Sequence, residues 1–163
     1  IARDIDVNSA EASADIKLRP GLDLGVGGGA AWLSDGNSRW SVLGVATWSF
    51  AKYFFAGPAY RRTKYDRPGV GYFAPKPFQL IEVRGGAAKR WGPWSGRLAG
   101  GLGTQSINSA SGQNAWHAEF RLTRAFRVID EVGIFGSITN AASASTTGAF
   151  KYKSAGLTAR IGL

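Results

Sequence analysis

Cysteine and methionine are both missing from this chain of 163 residues, and histidine occurs once. Without cysteine there is no disulfide framework, no thiolate-held zinc or iron–sulfur cluster and no thiol nucleophile, and the redox compartment stays open. The lone histidine and the scattered carboxylates offer no metal-ligand cluster, and no cofactor motif is present. Acid is the scarcer charge: 11 Asp and Glu stand against 20 Lys and Arg, a formal net charge of +9. Long apolar runs are missing as well. The longest uncharged stretches, 98–118 and 132–150, read LAGGLGTQSINSASGQNAWHA and VGIFGSITNAASASTTGAF. Both hold too much Gly, Ser, Thr and Asn to supply the about 20 apolar residues that a membrane-crossing helix needs. The start at Ile1 is expected of a mature or truncated chain whose signal peptide is gone.

What the chain does have is glycine, 23 residues, and rings: 6 Trp, 5 Tyr and 9 Phe. That composition fits neither a disordered tail nor a Leu-rich helical bundle. Its apolar residues recur with period two. In 116–122, Trp116, Ala118, Phe120 and Leu122 fall on one side and His117, Glu119 and Arg121 on the other. The same alternation runs through Ala14, Ile16 and Leu18, through Leu22, Leu24 and Val26, through Trp40, Val42, Ala46 and Trp48, and through Ala155, Leu157, Ala159 and Ile161. Strict alternation is the signature of a strand with two unlike faces. Turn signals at Arg19-Pro20-Gly21, Ser34-Asp35-Gly36-Asn37, Gly92-Pro93 and Val128-Ile129-Asp130 separate the runs. Strands are therefore expected near 12–18, 22–33, 40–51, 53–64, 77–90, 95–107, 115–127, 131–140 and 152–162, joined as antiparallel hairpins because the links are too short for crossover helices. The longer links 65–76, 108–114 and 141–151 would share one rim. The first of them, YDRPGVGYFAPK, has the proline and ring content of a folded loop.

A soluble sandwich and a membrane barrel both alternate, and they differ in what each face meets. In a sandwich the apolar faces share a core; in an outer-membrane barrel the apolar face meets lipid and the polar face lines the lumen. Trp32, Trp40, Tyr53, Phe54, Tyr65, Trp91, Trp94, Trp116, Phe126 and Tyr152 all sit near strand ends, where interfacial girdles put aromatic rings. Mid-strand glycines such as Gly27, Gly29, Gly44, Gly100, Gly101 and Gly136 weaken a compact core and suit a curved wall. The expected fold is all-β, an antiparallel up-and-down transmembrane β-barrel with about eight to ten strands in this chain. The whole of 1–163 then forms one outer-membrane barrel domain or the C-terminal portion of one. If Trp116, Phe120 and Leu122 face lipid, the lumen receives His117, Glu119, Arg121 and Thr123, with Glu82 and Arg84 from a neighbouring strand and Thr158 and Arg160 from the last one. Such mixed charges lock as ion pairs in a narrow barrel and line a water-filled passage in a wide one.

The segment WLSDGNSRW at 32–40, Phe55-Ala56-Gly57, Tyr65-Asp66 and above all Gly71-Tyr72-Phe73-Ala74-Pro75 followed by Phe78 resemble the C-terminal barrel of the cellulose-synthase outer-membrane channel family. Tyr152 to Arg160 is similar to that family's last strand. The resemblance covers residues 22–163. It implies an exopolysaccharide export channel of the Gram-negative outer membrane, a sixteen-stranded barrel behind periplasmic tetratricopeptide repeats. This chain departs in having Ala74 where the family usually carries Ser, and in having about nine strands and no helical repeats. It is accordingly expected to be the C-terminal part of a longer barrel, or a shorter relative. On that reading it is porin-like and without catalysis, and Gly71, Tyr72, Phe73 and Pro75 form a loop that gates or plugs the mouth. Its partners are the bilayer, lipopolysaccharide, a β-glucan or other exopolysaccharide, and envelope-complex proteins.

Arg61, Arg62, Lys64, Arg67, Lys89 and Arg90 lie near strand ends, where lipopolysaccharide phosphates would meet them. The competing reading is a small lipid A-modifying enzyme in which His117, with Glu119 on the same face, activates a serine from an adjacent strand. No sequence signal picks out that serine. A structural barrel component of a larger envelope complex is the third reading. The Gly25–Gly29 run carries no Walker lysine. Nucleic acid is disfavoured because the rings lie on apolar strand faces and are not interleaved with Lys and Arg.

Overall fold

In a computed structural model of the chain, residues 5–67, 74–126, 130–141 and 151–161 are described. They form nine strands: β1 Val7–Arg19, β2 Leu22–Leu33, β3 Ser38–Phe50, β4 Phe54–Tyr65, β5 Phe78–Trp91, β6 Trp94–Ile107, β7 Gln113–Ala125, β8 Glu131–Thr139 and β9 Tyr152–Arg160. No helix occurs among the described residues. Every strand is antiparallel to the one before it, and the sheet order is β1 to β9 without a crossover. This is the up-and-down all-β fold that the alternation implied. The strand positions agree closely with those expected; β1 begins earlier, at Val7, because Asn8, Ala10 and Ala12 continue the ladder opposite Trp32, Ala30 and Gly28.

The eight ladders hold one register apart from an irregularity between Lys17 and Arg19 at the end of β1, so a side chain's face is fixed across the sheet. On one face stand Ile16, Leu24, Val26, Val42, Trp48, Val83, Leu98, Leu102, Phe120, Ile134 and Leu157. We call this the outer face. Its largest apolar side chains are open: Leu157 is 83% exposed, Leu102 73% and Val83 64%. The opposite, inner face carries every strand side chain that is buried, namely Ala31, Ala59, Thr63, Tyr65, Phe78, Leu80, Glu82, Ala99, Gln105 and Ala115. Burial is therefore inverted relative to a water-soluble sheet, whose apolar face is the covered one.

The sheet's two ends are unlike. The links 20–21, 51–53, 92–93 and 126–130 are short and lie at one end; 34–37, 66–77, 108–112 and 140–151 lie at the other. Outward rings cluster towards both ends, with Trp48, Phe50, Phe54, Trp91 and Trp94 at the short-turn end and Trp32, Trp40, Tyr60 and Trp116 at the long-loop end. Trp48 and Phe50 have ring centroids 5.5 Å apart, and Phe50 and Phe54 stack at 6.2 Å. Beyond the rings the outer face turns polar, with Arg62, Lys64, Gln79, Asn114 and Lys153 at the long-loop end. Two of the strand-end aromatics correct the girdle as expected from sequence. Tyr65, 4% exposed, and Tyr152 share the inner face, since each sits one register step away from the outward set.

Two inner-face glycines let neighbouring strands approach closely. A Cβ on Gly57 would stand in the carbonyl of Ala46, and one on Gly103 in the carbonyl of Ile81. The outward Gly44 has open space around its missing Cβ. Gly103→Val is expected to destabilise the sheet by about 1–3 kcal/mol through forced strand separation, whereas Gly44→Ala stays within about 0.5 kcal/mol of the parent. Urea-unfolding midpoints of the two variants check this.

Candidate functional site: the inner face of the sheet

All eight lumen candidates read from the alternation stand on the inner face: Glu82 and Arg84 on β5, His117, Glu119, Arg121 and Thr123 on β7, and Thr158 and Arg160 on β9. The structure brings only some of them together. Glu82, its side chain 2% exposed, receives Arg84 Nε at Oε1, 2.5 Å away, and faces His117 Nδ1 from Oε2 at 3.1 Å. Strand β5 is not the neighbour of β7, as the sequence suggested, because β6 runs between them. Gly101 of β6 makes the contact possible: with no side chain there, the His117 ring and the Glu82 carboxylate meet across the intervening strand. A buried carboxylate needs such partners, since an isolated one would cost several kcal/mol to desolvate.

Glu119, which shares the strand face with His117, turns elsewhere; its Oε1 lies 3.8 Å from Arg97 Nε with both side chains half-exposed. Thr123 shares a hydrogen bond with Ser95 at 2.6 Å, and Ser137 shares one with Ser154 at 2.8 Å. Thr158 approaches Thr123 across the bare Gly133, and Arg160 stands apart from these groups, opposite Glu131. His117 points away from the apolar outer face, and its hydrogen bond is to Glu82, not to a serine.

Sequence reasoning missed Arg97, Arg39, Phe55 and Phe135. All four share the inner face. The Arg97 guanidinium carbon lies over the Phe55 ring, 4.3 Å from its centroid. Their only sequence signal is parity with residues already placed inside. Of the basic residues expected to meet lipopolysaccharide, Arg61 and Arg90 instead face inward, one step out of register with the outward Arg62, Lys64 and Lys89. Arg62 leans over Trp40 at 5.6 Å, and Arg67 bonds back to the Gly36 carbonyl.

Of the loop candidates, Gly71, Tyr72 and Phe73 lie outside the described residues. Pro75 is fully buried, and its carbonyl accepts the Tyr65 N–H at 3.1 Å. Both ends of this loop are tied down. Asn37 receives the Arg67 N–H and donates to the Arg67 carbonyl, and the Lys76 N–H reaches Asn108 Oδ1 at 2.6 Å. Below it, Phe78, Leu80 and Ala115 pack on the inner face, with Ile107 and Ala141 against them. On the β5–β7 side the long-loop half of the inner face is thus closed by packing. Elsewhere the face is open: grooves of about 390 Å³ each run beside Phe55, Arg84 and Arg97 and beside Arg97, Arg121 and Phe135 in the short-turn half, and one of about 460 Å³ runs beside Arg39, Arg61 and Thr63 in the long-loop half of β1 to β4.

Comparison with solved structures finds this strand order again. A bacterial polysaccharide outer membrane secretin superposes with a TM-score of 0.78 over 96% of this chain, at 13% sequence identity. The chain shares that protein's fold. It spans 56% of the secretin's length. No protein-family model and no curated protein matches. No group of acids and histidine that could hold a metal occurs among the described residues.

Replacing Arg84 by Ala strips the buried Glu82 carboxylate of its closest partner and is expected to cost about 3 kcal/mol. Glu82→Ala should cost less, because the Arg84 side chain it releases reaches water. A double-mutant cycle over Glu82 and His117, read by urea unfolding, checks the coupling.

Proposed function

We propose that this chain is part of the wall of an outer-membrane channel that exports a polysaccharide. The observation that carries the reading is the inverted burial: a register-locked outer face of exposed Leu, Val, Ile and Trp against an inner face of Arg, Glu, Ser and Thr. Exposed apolar area on that scale is stable where acyl chains cover it, at roughly 25 cal/mol per Å² removed from water. The strands, 9 to 14 residues long, suit a tilted bilayer crossing. The rings near both ends then occupy the two interfaces. The fold shared with the secretin supports the same reading. By the usual barrel asymmetry the short turns face the periplasm and the long loops the outside.

Hydrocarbon tolerates no unpaired strand edge. β1 pairs with β2 and β9 with β8, and with nine alternating strands β1 and β9 run in the same direction. The wall is therefore completed by further strands that continue the antiparallel order on each side. A wider barrel of that kind leaves room for a chain of sugars, which a closed nine-stranded one filled by its own side chains would not. The Gly-Tyr-Phe-Ala-Pro resemblance names a β-glucan as one such cargo. Passage needs no catalysis, and the inward aim of His117 puts it on the wrong side for lipid A. Outward Arg62, Lys64 and Lys153 at the long-loop end are placed for lipopolysaccharide phosphates.

Two results are expected. Leu98→Arg, opposite Phe120 and between the two groups of rings, should lower stability in lipid vesicles by about 2–4 kcal/mol, while Thr123→Arg on the inner face should not. Deleting the gene should leave polysaccharide in the periplasm with synthesis intact; unchanged secretion would end the proposal.

A further inference from the structure

We propose that the cargo is an acidic polysaccharide, one whose sugars carry carboxylates, and that the inner-face arginines of β3 to β7 are its track; this rests on the export role above. The charge on the inner face is segregated. On β3 to β7 it holds Arg39, Arg61, Arg84, Arg90, Arg97 and Arg121 against Glu82 and Glu119. Glu82 is buried and taken up by Arg84 and His117, and Glu119 reaches only Arg97, at 3.8 Å. Among the described residues Arg39, Arg61, Arg90 and Arg121 have no carboxylate within 4.0 Å. The inner acids Glu11, Asp15 and Asp23 gather on β1 and β2, with Lys17 beside them.

Arg97 and Arg121 sit directly opposite each other in the β6–β7 ladder, the placement that like charges disfavour. Glu119 offsets part of that repulsion at most, since it and Arg97 are half-exposed and barely within ion-pair range. An anion lying between the two guanidiniums would relieve the rest. The planar guanidinium fork matches a carboxylate with two parallel hydrogen bonds. Rings accompany the cations in the same grooves: Phe55 lies beneath Arg97, and Phe135 faces Arg121 in the next ladder. A ring face for the pyranose and a guanidinium for its carboxylate is the pairing a uronate polymer needs. A neutral glucan asks for hydroxyl and amide partners and gains nothing from unpaired cations, and a cationic glycan would be repelled.

The test is single-channel recording of the full-length protein in planar bilayers. The parent channel should be anion-selective in a KCl gradient, and oligogalacturonate added on the short-turn side should block it at roughly tenfold lower concentration than a cello-oligosaccharide of equal length. Arg97→Gln with Arg121→Gln should abolish that preference, and Arg97→Lys with Arg121→Lys, which keeps the charge and reports on folding, should retain most of it. Equal block by the neutral oligomer, stronger block by a chitosan oligomer, or cation selectivity of the parent overturns the acidic cargo while leaving export standing. A protein that inserts in the bilayer but never conducts removes the export reading and this inference with it.

Discussion

A slip of one residue in any of the eight ladders would turn a strand's arginines towards the apolar side and its tryptophans towards the polar one. Register is therefore the constraint on which everything else depends. It is fixed here by two independent sets of contacts. Short connections of two or three residues at 20–21, 51–53 and 92–93 leave little freedom in how their strands align. The side chains do the rest, since Val26, Leu102 or Ile134 on the inner face would meet Asp15, Glu82 or Arg121. Backbone hydrogen bonds hold the sheet together, but they would be as well satisfied in a slipped alignment; the two-faced pattern selects among the alignments.

With the register set, the inner face divides along the strands. Towards the long loops, on β5 to β7, it is packed by Phe78, Leu80 and Ala115. Towards the short turns it opens into grooves lined by guanidiniums and rings, and on β1 to β4 a further groove beside Arg39 and Arg61 carries the open surface into the long-loop half. The arginines therefore follow the open part of the face along its whole height, and the packed part lies to one side of them. Attraction and constriction are different tasks, and the residues for each lie on different parts of one sheet.

The sequence made the strands and their faces legible because period two is a strong signal over ten residues, and it survives the mixed inner face of β3, where Leu43 and Val45 stand among Ser41 and Thr47. Even the β3–β4 turn was placed, although it holds no Gly, Pro or Asn and bends through positive φ at Ala51 and Lys52. What could not be read was how far apart two inward residues lie. Glu82 and His117 are 35 positions apart in sequence, and nothing in either segment says that Gly101 leaves a gap between them. The strand-end arginines were ambiguous for a related reason. Arg61 and Arg62 are adjacent in sequence, yet one lines the inner-face groove beside Arg39 and Thr63 and the other faces the Trp40 ring, a difference set by register alone.

The Glu82 cluster shows why an inner face so rich in cations can still fold. A guanidinium and an imidazole share one buried carboxylate, which places a fixed negative charge at the centre of the basic stretch and ties β5 to β7 over the strand between them. Had each arginine been paired in this way, the face would be neutral and closed to anions. Had none been, repulsion between cations on adjacent strands would oppose the sheet's own ladders. The observed arrangement lies between these limits. One cluster cross-links the wall, and among the described residues Arg61, Arg90 and Arg121 around it have no carboxylate within 4.0 Å, which on the cargo proposed above leaves them to hold one anion after another.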